Sequence, residues 1–383
     1  MKKLNIVADE NIPALDAYYG HFASIKSLPG RLITADDLTD ADVLIVRSVT
    51  QVNEALLQFS SVKFVGTCTI GTDHIDLEYL QRHGIGFSSA PGCNADAVVD
   101  YVLSCILTRF KQIEVIQQMT VGVLGYGQVG RRLVSALKRL DIAVLCYDPF
   151  VDEADATFDE IVACDIISIH TPITYIRQSA YPTFHLFNRA VLDALKPSTL
   201  LINAARGKVI DNGALLQHLK EHEVTLDVVL DVYEDEPTPS LELLSAIYLT
   251  TSHIAGYSVQ GKLRGTSMIA QALCAYFDLS IQADTLLTST KRLLNVSGVQ
   301  TLSDLILTAY NVPADSEAFQ EHYRQALKCD ENGDKSLDKA LASALFDEYR
   351  KDYAQRHEFG FTLLQGLRPE LKEPAELLGF LVQ

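Results

Sequence analysis

Three short segments of this chain put groups capable of acid–base chemistry directly behind apolar runs. Asn203-Ala-Ala-Arg-Gly207 follows Thr199–Ile202, Asp231-Val-Tyr-Glu-Asp-Glu-Pro237 follows Asp227–Leu230, and Ser252-His-Ile-Ala-Gly-Tyr257 follows Tyr248–Thr250. They offer one Arg, a choice of acids and one His. Together these residue types suit oxidation of a 2-hydroxy acid. A His is the natural base near neutral pH for the proton of the C2 hydroxyl. A carboxylate on the other ring nitrogen orients the imidazole and stabilises its charged form. An Arg forks onto the substrate carboxylate and polarises the forming carbonyl. Singly, each has a plainer reading: a solvated His, an Arg-Gly turn, an acidic loop. Their succession behind a cofactor fingerprint points to a site.

That fingerprint is Val121-Gly-Val-Leu-Gly-Tyr-Gly-Gln-Val-Gly130, a strand pattern running into a G-x-G-x-x-G turn at Gly125, Gly127 and Gly130, with Gln128 and Val129 inside it. Gly125 permits the tight turn, Gly127 lets a pyrophosphate approach the backbone, and Gly130 allows close helix–strand packing. The N-terminus of the following helix presents free N–H groups to the phosphates. The next apolar run, Ile142–Tyr147, ends in Asp148, near the spacing of about 20 residues at which a carboxylate accepts hydrogen bonds from the adenosine ribose. Asp148 predicts NAD over NADP, because a 2′-phosphate would meet a carboxylate. Pro149 and Phe150 follow it, not an Arg.

These groups need a sheet whose strand ends converge. Strands are expected at 4–8, 43–46, 63–66 and 86–88, with helices near 11–19, 53–59 and 76–83. From 121 the rhythm repeats, with strands at 121–124, 142–147, 166–169, 199–202, 227–231 and 248–250. This is α/β, with two Rossmann-like, doubly wound domains. Long helices are expected at 97–117 and 258–280. The economical topology is an NAD-binding domain, 97–256, inserted into a split substrate-binding domain, 1–96 and 257–285, with the ligand cleft where the domains meet. Residues 286–383 lose the Gly-rich turns and read as a third, mostly helical α+β domain, with helices over 317–329 and 336–353. Asp330-Glu-Asn-Gly-Asp334 looks superficially like a calcium loop. Its sixth position is Lys335 rather than Gly and its twelfth Leu341 rather than Glu, so a polar turn is expected and no metal.

The 383 residues carry a net charge of −17, with 48% hydrophobic and 21% charged residues. This is a globular balance, and it argues against nucleic-acid partners and anionic membranes. An anionic substrate must therefore be held by a few local cations. Arg47 is the candidate for a phosphate: it ends the 43–46 run beside Ser48, and its planar fork matches a phosphate bidentately. The seven cysteines form no C-x-x-C pair and read as reduced thiols of a cytosolic protein. The N-terminal apolar run is too short for a signal peptide, and no stretch approaches transmembrane length.

From about residue 40 to 280 the chain resembles the D-isomer-specific 2-hydroxyacid dehydrogenases. The resemblance lies in Val46-Arg-Ser48, Gly71-Thr-Asp-His-Ile-Asp76, the fingerprint, His170-Thr-Pro172, Asn203–Gly207, Asp231–Pro237 and His253. It implies a catalytic triad of Arg206, Glu236 and His253. Glu236 is the family's acid because it immediately precedes the Pro, and Glu234 and Asp235 become its solvated neighbours. It further implies that Ser48, Thr69 and Tyr257 contact substrate. Asp148, Thr171, Asp231 and Gly256 would contact NAD, with Ala204, Ala205 and Arg206 along the nicotinamide side.

Within the family, Val7–Pro13, Val46–Glu54, Ser88–Asn94 and His253–Tyr257 resemble a branch that oxidises a small phosphorylated 2-hydroxy acid. The helical tail resembles that branch's dimerisation domain, which implies a homodimer. A tail Arg, Arg350 or Arg356, could then reach the partner's site as a second cation. The segment Thr171–Phe187 departs from the family in being rich in Tyr and His. Two alternatives stand beside this reading. One is a 3-phosphoglycerate dehydrogenase, whose tail is commonly a βαββαβ regulatory module, or another D-2-hydroxyacid dehydrogenase. The other is an NAD(H)-sensing corepressor, against which the acidic chain argues.

Overall fold

The computed structural model describes residues 3–222, 226–280, 286–329 and 335–383. The chain forms two compact units: residues 1–96 with 257–291, and residues 97–256 with 292–383.

In the first unit, β1 (Leu4–Asp9), β2 (Ala23–Leu28), β3 (Val43–Val46), β4 (Phe64–Thr67) and β5 (Gly86–Ser88) form one sheet in the order β2-β1-β3-β4-β5. Every pairing is parallel. Val43-Leu-Ile-Val46 is buried throughout, as expected for a strand covered on both faces by crossover helices. The helix Val259–Tyr276 supplies part of that cover, with Ile269, Ala270 and Leu273 packed among Ile6, Val43 and Ile45. The order reverses between β1 and β3, so residues following β3 and β4 lie at the carboxyl ends where doubly wound sheets bind ligands. β2 escaped the sequence reading. It is an edge strand with a largely exposed face, and Ser24, Lys26 and Ser27 give it no apolar run.

In the second unit, β6 (Thr120–Leu124), β7 (Ala143–Tyr147), β8 (Ile166–Ile169), β9 (Leu200–Asn203), β10 (Asp227–Leu230) and β11 (Leu249–Thr250) form a parallel sheet. Its order is β11-β10-β9-β8-β6-β7, with the switch between β6 and β8. The single helix expected over 97–117 is two: Ala95–Phe110, then one turn at Ile113–Ile116. Lys111 breaks it, in the left-handed region at φ 61°, and the Ser303 hydroxyl satisfies the Lys111 carbonyl that the break frees.

Residues 292–383 mix helices with strands. β12 (Arg292–Asn295), β15 (Thr362–Gln365) and β16 (Leu381–Val382) make a parallel sheet, and β13 (Leu327–Cys329) pairs antiparallel with β14 (Lys335–Leu337). The helices sit earlier or shorter than expected, at Val312–Arg324 and Lys339–Lys351, because Asn311 and Asp338 cap them. Residues 330–334 lie outside the described residues. The tail shares both cores of its unit. Leu305, Ile306, Phe359 and Phe380 pack with the helix Ala95–Phe110 and β6, while Phe319, Tyr323 and Phe346 pack with β8, β9 and β10. Among the described residues six cysteines are free, and no helix is long and apolar enough to cross a membrane.

Candidate active site

The loop after β11 carries His253. Asp231, the first residue after β10, shapes that loop. Its carbonyl accepts the His253 N–H at 2.7 Å. Its Oδ1 accepts the Ile254 N–H at 2.8 Å and the Thr251 hydroxyl at 2.6 Å, and its Oδ2 accepts the Ala255 N–H at 2.9 Å. Held this way, His253 adopts the left-handed region, φ 59°. A non-glycine residue keeps such a conformation where its surroundings over-determine it, and functional sites are where this recurs.

Glu236 meets the ring of His253. Glu236 Oε2 lies 2.8 Å from His253 Nδ1, and Oε1 accepts the Tyr233 N–H at 2.8 Å. With Nδ1 donating to the carboxylate, the lone pair of the neutral ring sits on Nε2, the atom free to take a proton. Burial pulls the imidazole's pKa down, but the charge and hydrogen bond of Glu236 outweigh it and leave His253 above its ordinary value; Arg350 lowers it and Asp231 raises it. Burial pushes Glu236 up, but His253, the Tyr233 amide and Arg350 hold it below the usual carboxylate range. The carboxylate thus makes the imidazole a stronger base and stabilises the imidazolium that forms when Nε2 takes a proton.

Arg206 sits on the turn after β9. Asn203 folds that turn, accepting the Ala205 N–H through Oδ1 (3.1 Å) and donating from Nδ2 to the Arg206 carbonyl (2.9 Å). A Cβ on Gly207 would meet the Tyr233 backbone at 2.0 Å, so only Gly lets this turn lie against the loop that carries Glu236. The Arg206 guanidinium donates to the Ala205 carbonyl at 2.8 Å. The structure thus pairs Glu236 with His253 directly and sets Arg206 on the adjoining loop.

Glu234 is not the solvated neighbour expected. Its Oε1 is 2.5 Å from His185 Nε2, and its Oε2 accepts the Asn212 N–H at 2.7 Å. His185 comes from the Tyr- and His-rich segment 171–187, so that segment supplies the partner of this acid.

At the switch point, Gly125 has φ 96°, open to Gly and strained for other residues, and a Cβ on Gly130 would sit 1.9 Å from the Gly125 carbonyl. A Cβ on Gly127 would meet nothing within 4 Å among the described residues. The helix Gln128–Arg139 begins there, with Gly127 as a cap that supplies no side-chain hydrogen bond. Asp148 stands beside the turn: Oδ2 accepts the Tyr126 N–H at 2.9 Å and Oδ1 the Phe150 N–H at 3.1 Å. Just past β8, the Thr171 hydroxyl is buried with no hydrogen-bond partner among the described residues. An open face at Gly127, uncapped N–H groups and an orphaned hydroxyl fit a dinucleotide. His170 beside it is pushed down to about 3 by burial and is neutral near pH 7. Ala204 and Ala205 lie on the Arg206 turn, and Gly256 follows the segment that Asp231 pins.

In the first unit, Arg47 Nη2 donates to the Tyr257 hydroxyl at 2.8 Å, and its guanidinium lies 5.4 Å from that ring's centroid. Lys262 Nζ lies 4.6 Å from the same ring. Sequence reading missed Lys262; its signal is its place in the first turns of the helix that begins just after Tyr257. Ser48 is exposed in the turn after β3. Thr69, past β4, has its hydroxyl 2.8 Å from that of Thr67 and donating to the Gly71 carbonyl at 3.1 Å. The tail arginines do not project outward as a second cation would. Arg356 is 6% exposed and donates to Ala97 and Ala255 of its own chain. Arg350 is largely buried, beside Phe346 and Asp347.

Residues 107–255 match the D-isomer specific 2-hydroxyacid dehydrogenase, NAD binding domain. The chain is 44% identical over 376 residues, 93% of each protein, to the erythronate-4-phosphate dehydrogenase of Cellvibrio japonicus (strain Ueda107). It is likewise 44% identical to that of Pseudomonas syringae pv. syringae (strain B728a), over 99% of this chain and 98% of the relative. Among solved structures, NAD+-bound 3-phosphoglycerate dehydrogenase of Entamoeba histolytica superposes with a TM-score of 0.62 at 20% identity, covering 74% of this chain and 99% of its own. The chain belongs to the D-isomer specific 2-hydroxyacid dehydrogenase family: it is an oxidoreductase that uses NAD. Relatives similar to it along nearly its whole length are named erythronate-4-phosphate dehydrogenase.

Proposed function

We propose that this protein oxidises 4-phospho-D-erythronate to 3-hydroxy-2-oxo-4-phosphooxybutanoate with NAD, a step of pyridoxal 5′-phosphate biosynthesis. The observation that carries the chemistry is the 2.8 Å contact between Glu236 and His253 Nδ1, which leaves Nε2 to accept the C2 hydroxyl proton. Arg206 binds the substrate carboxylate and polarises the forming carbonyl. The nicotinamide, when bound, accepts the hydride from C2. Gly125, Gly127, Gln128, Val129 and Gly130 cradle the pyrophosphate, and Asp148 takes the ribose hydroxyls. Thr171, Ala204, Ala205, Asp231 and Gly256 complete the cofactor contacts.

The choice of a phosphorylated substrate is supported by the full-length likeness to the proteins named above and by the two cations on Tyr257. Arg47 and Lys262 hold the phosphate, with Ser48, Thr69 and Tyr257 contacting the rest of the molecule. Residues 1–96 and 257–285 form the substrate-binding domain and 97–256 the NAD-binding domain. Residues 286–383 mediate a homodimer of a cytoplasmic enzyme.

The test is NAD reduction with 4-phospho-D-erythronate, D-erythronate and 3-phosphoglycerate side by side, for the wild type and Arg47→Ala. The first acid should have the highest kcat/KM. Arg47→Ala should raise its KM by roughly tenfold or more, the scale of a lost charge-assisted pair, while leaving D-erythronate unaffected. A preference for 3-phosphoglycerate would overturn the substrate assignment. Equal loss on both erythronates would place Arg47 outside the phosphate contact.

A further inference from the structure

The core shared with the solved relative accounts for about three quarters of this chain, and residues 292–383 are of the size of the remainder. Three buried hydrogen bonds run from them to the loops of the Glu236–His253 pair. Ser316 Oγ accepts the Thr250 N–H at 3.0 Å. The Tyr323 hydroxyl donates to the Pro239 carbonyl at 3.1 Å. Arg356 Nη2 donates to the Ala255 carbonyl and, at 3.1 Å, to that of Ala97. Thr250 precedes His253 and Ala255 follows it, while Pro239 follows Glu236. Each loop is therefore tied to the tail close to the residue it carries.

Arg356 is the informative member. Its guanidinium lies 4.2 Å from the centroid of Tyr310, with the carboxylates of Asp100 and Asp315 as neighbouring charges. A buried cation is a poor stabiliser compared with an apolar side chain of its size. This one also leaves Nη1 buried without a hydrogen-bond partner among the described residues. What the planar fork does that an apolar side chain cannot is hold carbonyls in fixed directions. The Ala255 peptide is gripped from both ends, its N–H by Asp231 Oδ2 and its carbonyl by Arg356. That is the over-determination a left-handed His253 requires.

We propose that residues 292–383 are a positioning frame for the Glu236–His253 pair of their own chain, with Arg356, Ser316 and Tyr323 as positioning residues. The inference rests on the reading of that pair as the catalytic one. It gives the tail a role within one subunit, whatever surface the tail offers to another.

The experiment uses the full-length protein with NAD and 4-phospho-D-erythronate, and the variants Ser316→Ala, Tyr323→Phe, their double, Arg356→Met and Arg356→Lys. Each lost hydrogen bond should lower kcat by roughly three- to tenfold. Arg356→Met should lower it by about a hundredfold, the scale of a misplacement near 1 Å. KM for NAD should stay within about twofold in Ser316→Ala, Tyr323→Phe and their double, since neither the fingerprint turn nor the peptide before Gly256 receives those two contacts, which end on Thr250 and Pro239. Arg356→Lys, which keeps a donor, should recover part of the loss. If Arg356→Met fails to fold, the Ser316→Ala/Tyr323→Phe double decides. A lowered melting temperature with unchanged kcat would reduce the tail to a structural element. A parallel rise in KM for NAD in the Ser316→Ala/Tyr323→Phe double would mean it acts on the whole unit, and either result overturns the proposal. His253→Ala is the control: if it stays active, the reading of the pair fails; if it is inactive while the tail variants are normal, only the present inference fails.

Discussion

In the fingerprint turn the defining hydrogen bond is local: the Tyr126 N–H reaches Asp148, 22 residues on. The Glu236–His253 pair has contacts of that range too, from Asp231 to His253, Ile254 and Ala255, and adds others of a different range. Thr250 reaches Ser316 across 66 residues, Tyr323 reaches Pro239 across 84, and Arg356 reaches Ala255 across 101. Both sites occupy carboxyl ends of one parallel sheet. The difference follows from what each must do. A pyrophosphate is bound by backbone N–H groups and a helix end, which a glycine-spaced turn makes by itself. A proton transfer needs two side chains held in one geometry, and here the loops that carry them are pinned from outside the sheet.

Cutting the chemistry while sparing the cofactor is the strongest way to break this comparison. His253→Ala should lower kcat by roughly 10²–10⁴-fold, the range for a positioned acid–base group. NAD affinity, measured by calorimetry, should be unchanged. A variant keeping more than a tenth of wild-type kcat would remove His253 as the base.

The converse variant sharpens it. Asp148→Ala should weaken NAD by about tenfold and bring NADP closer to it, because the carboxylate that accepts the ribose hydroxyls also repels a 2′-phosphate. At saturating NAD, kcat should stay near wild type, since the dyad is untouched. A wild type that already used both cofactors equally would contradict the role of Asp148.

The same contrast explains what was legible in the sequence. The sheet of the second unit, its fingerprint and Asp148 follow from apolar runs and glycine spacing, which are local signals. Arg206, Glu236 and His253 were recognisable as types behind strand ends, yet choosing Glu236 over Glu234 needed the family pattern. The structure supplies the physical reason: His185 and the Asn212 amide occupy Glu234. Lys262 carries no motif and gains meaning only beside Tyr257. The tail sequence does not show that Arg356 points inward to Ala97 and Ala255, because those carbonyls come from segments more than a hundred residues away. The break at Lys111 was hidden because no Gly or Pro marks it; a Ser303 hydroxyl 192 residues away accommodates it.

The central claim, that Glu236 and His253 work as one acid–base unit, is tested most directly by the pH dependence of kcat/KM for oxidation in wild type and Glu236→Gln. The base must be neutral to accept the hydroxyl proton, so the rate climbs as pH rises through the pKa of His253. Glu236 raises that pKa, so removing its charge should shift this acidic limb to lower pH, by about one unit or more. In the reductive direction, which needs the imidazolium, activity should fall off at correspondingly lower pH. The account predicts both shifts together. An acidic limb that stays where it is in Glu236→Gln would contradict it, for the imidazole would then owe its basicity to another group.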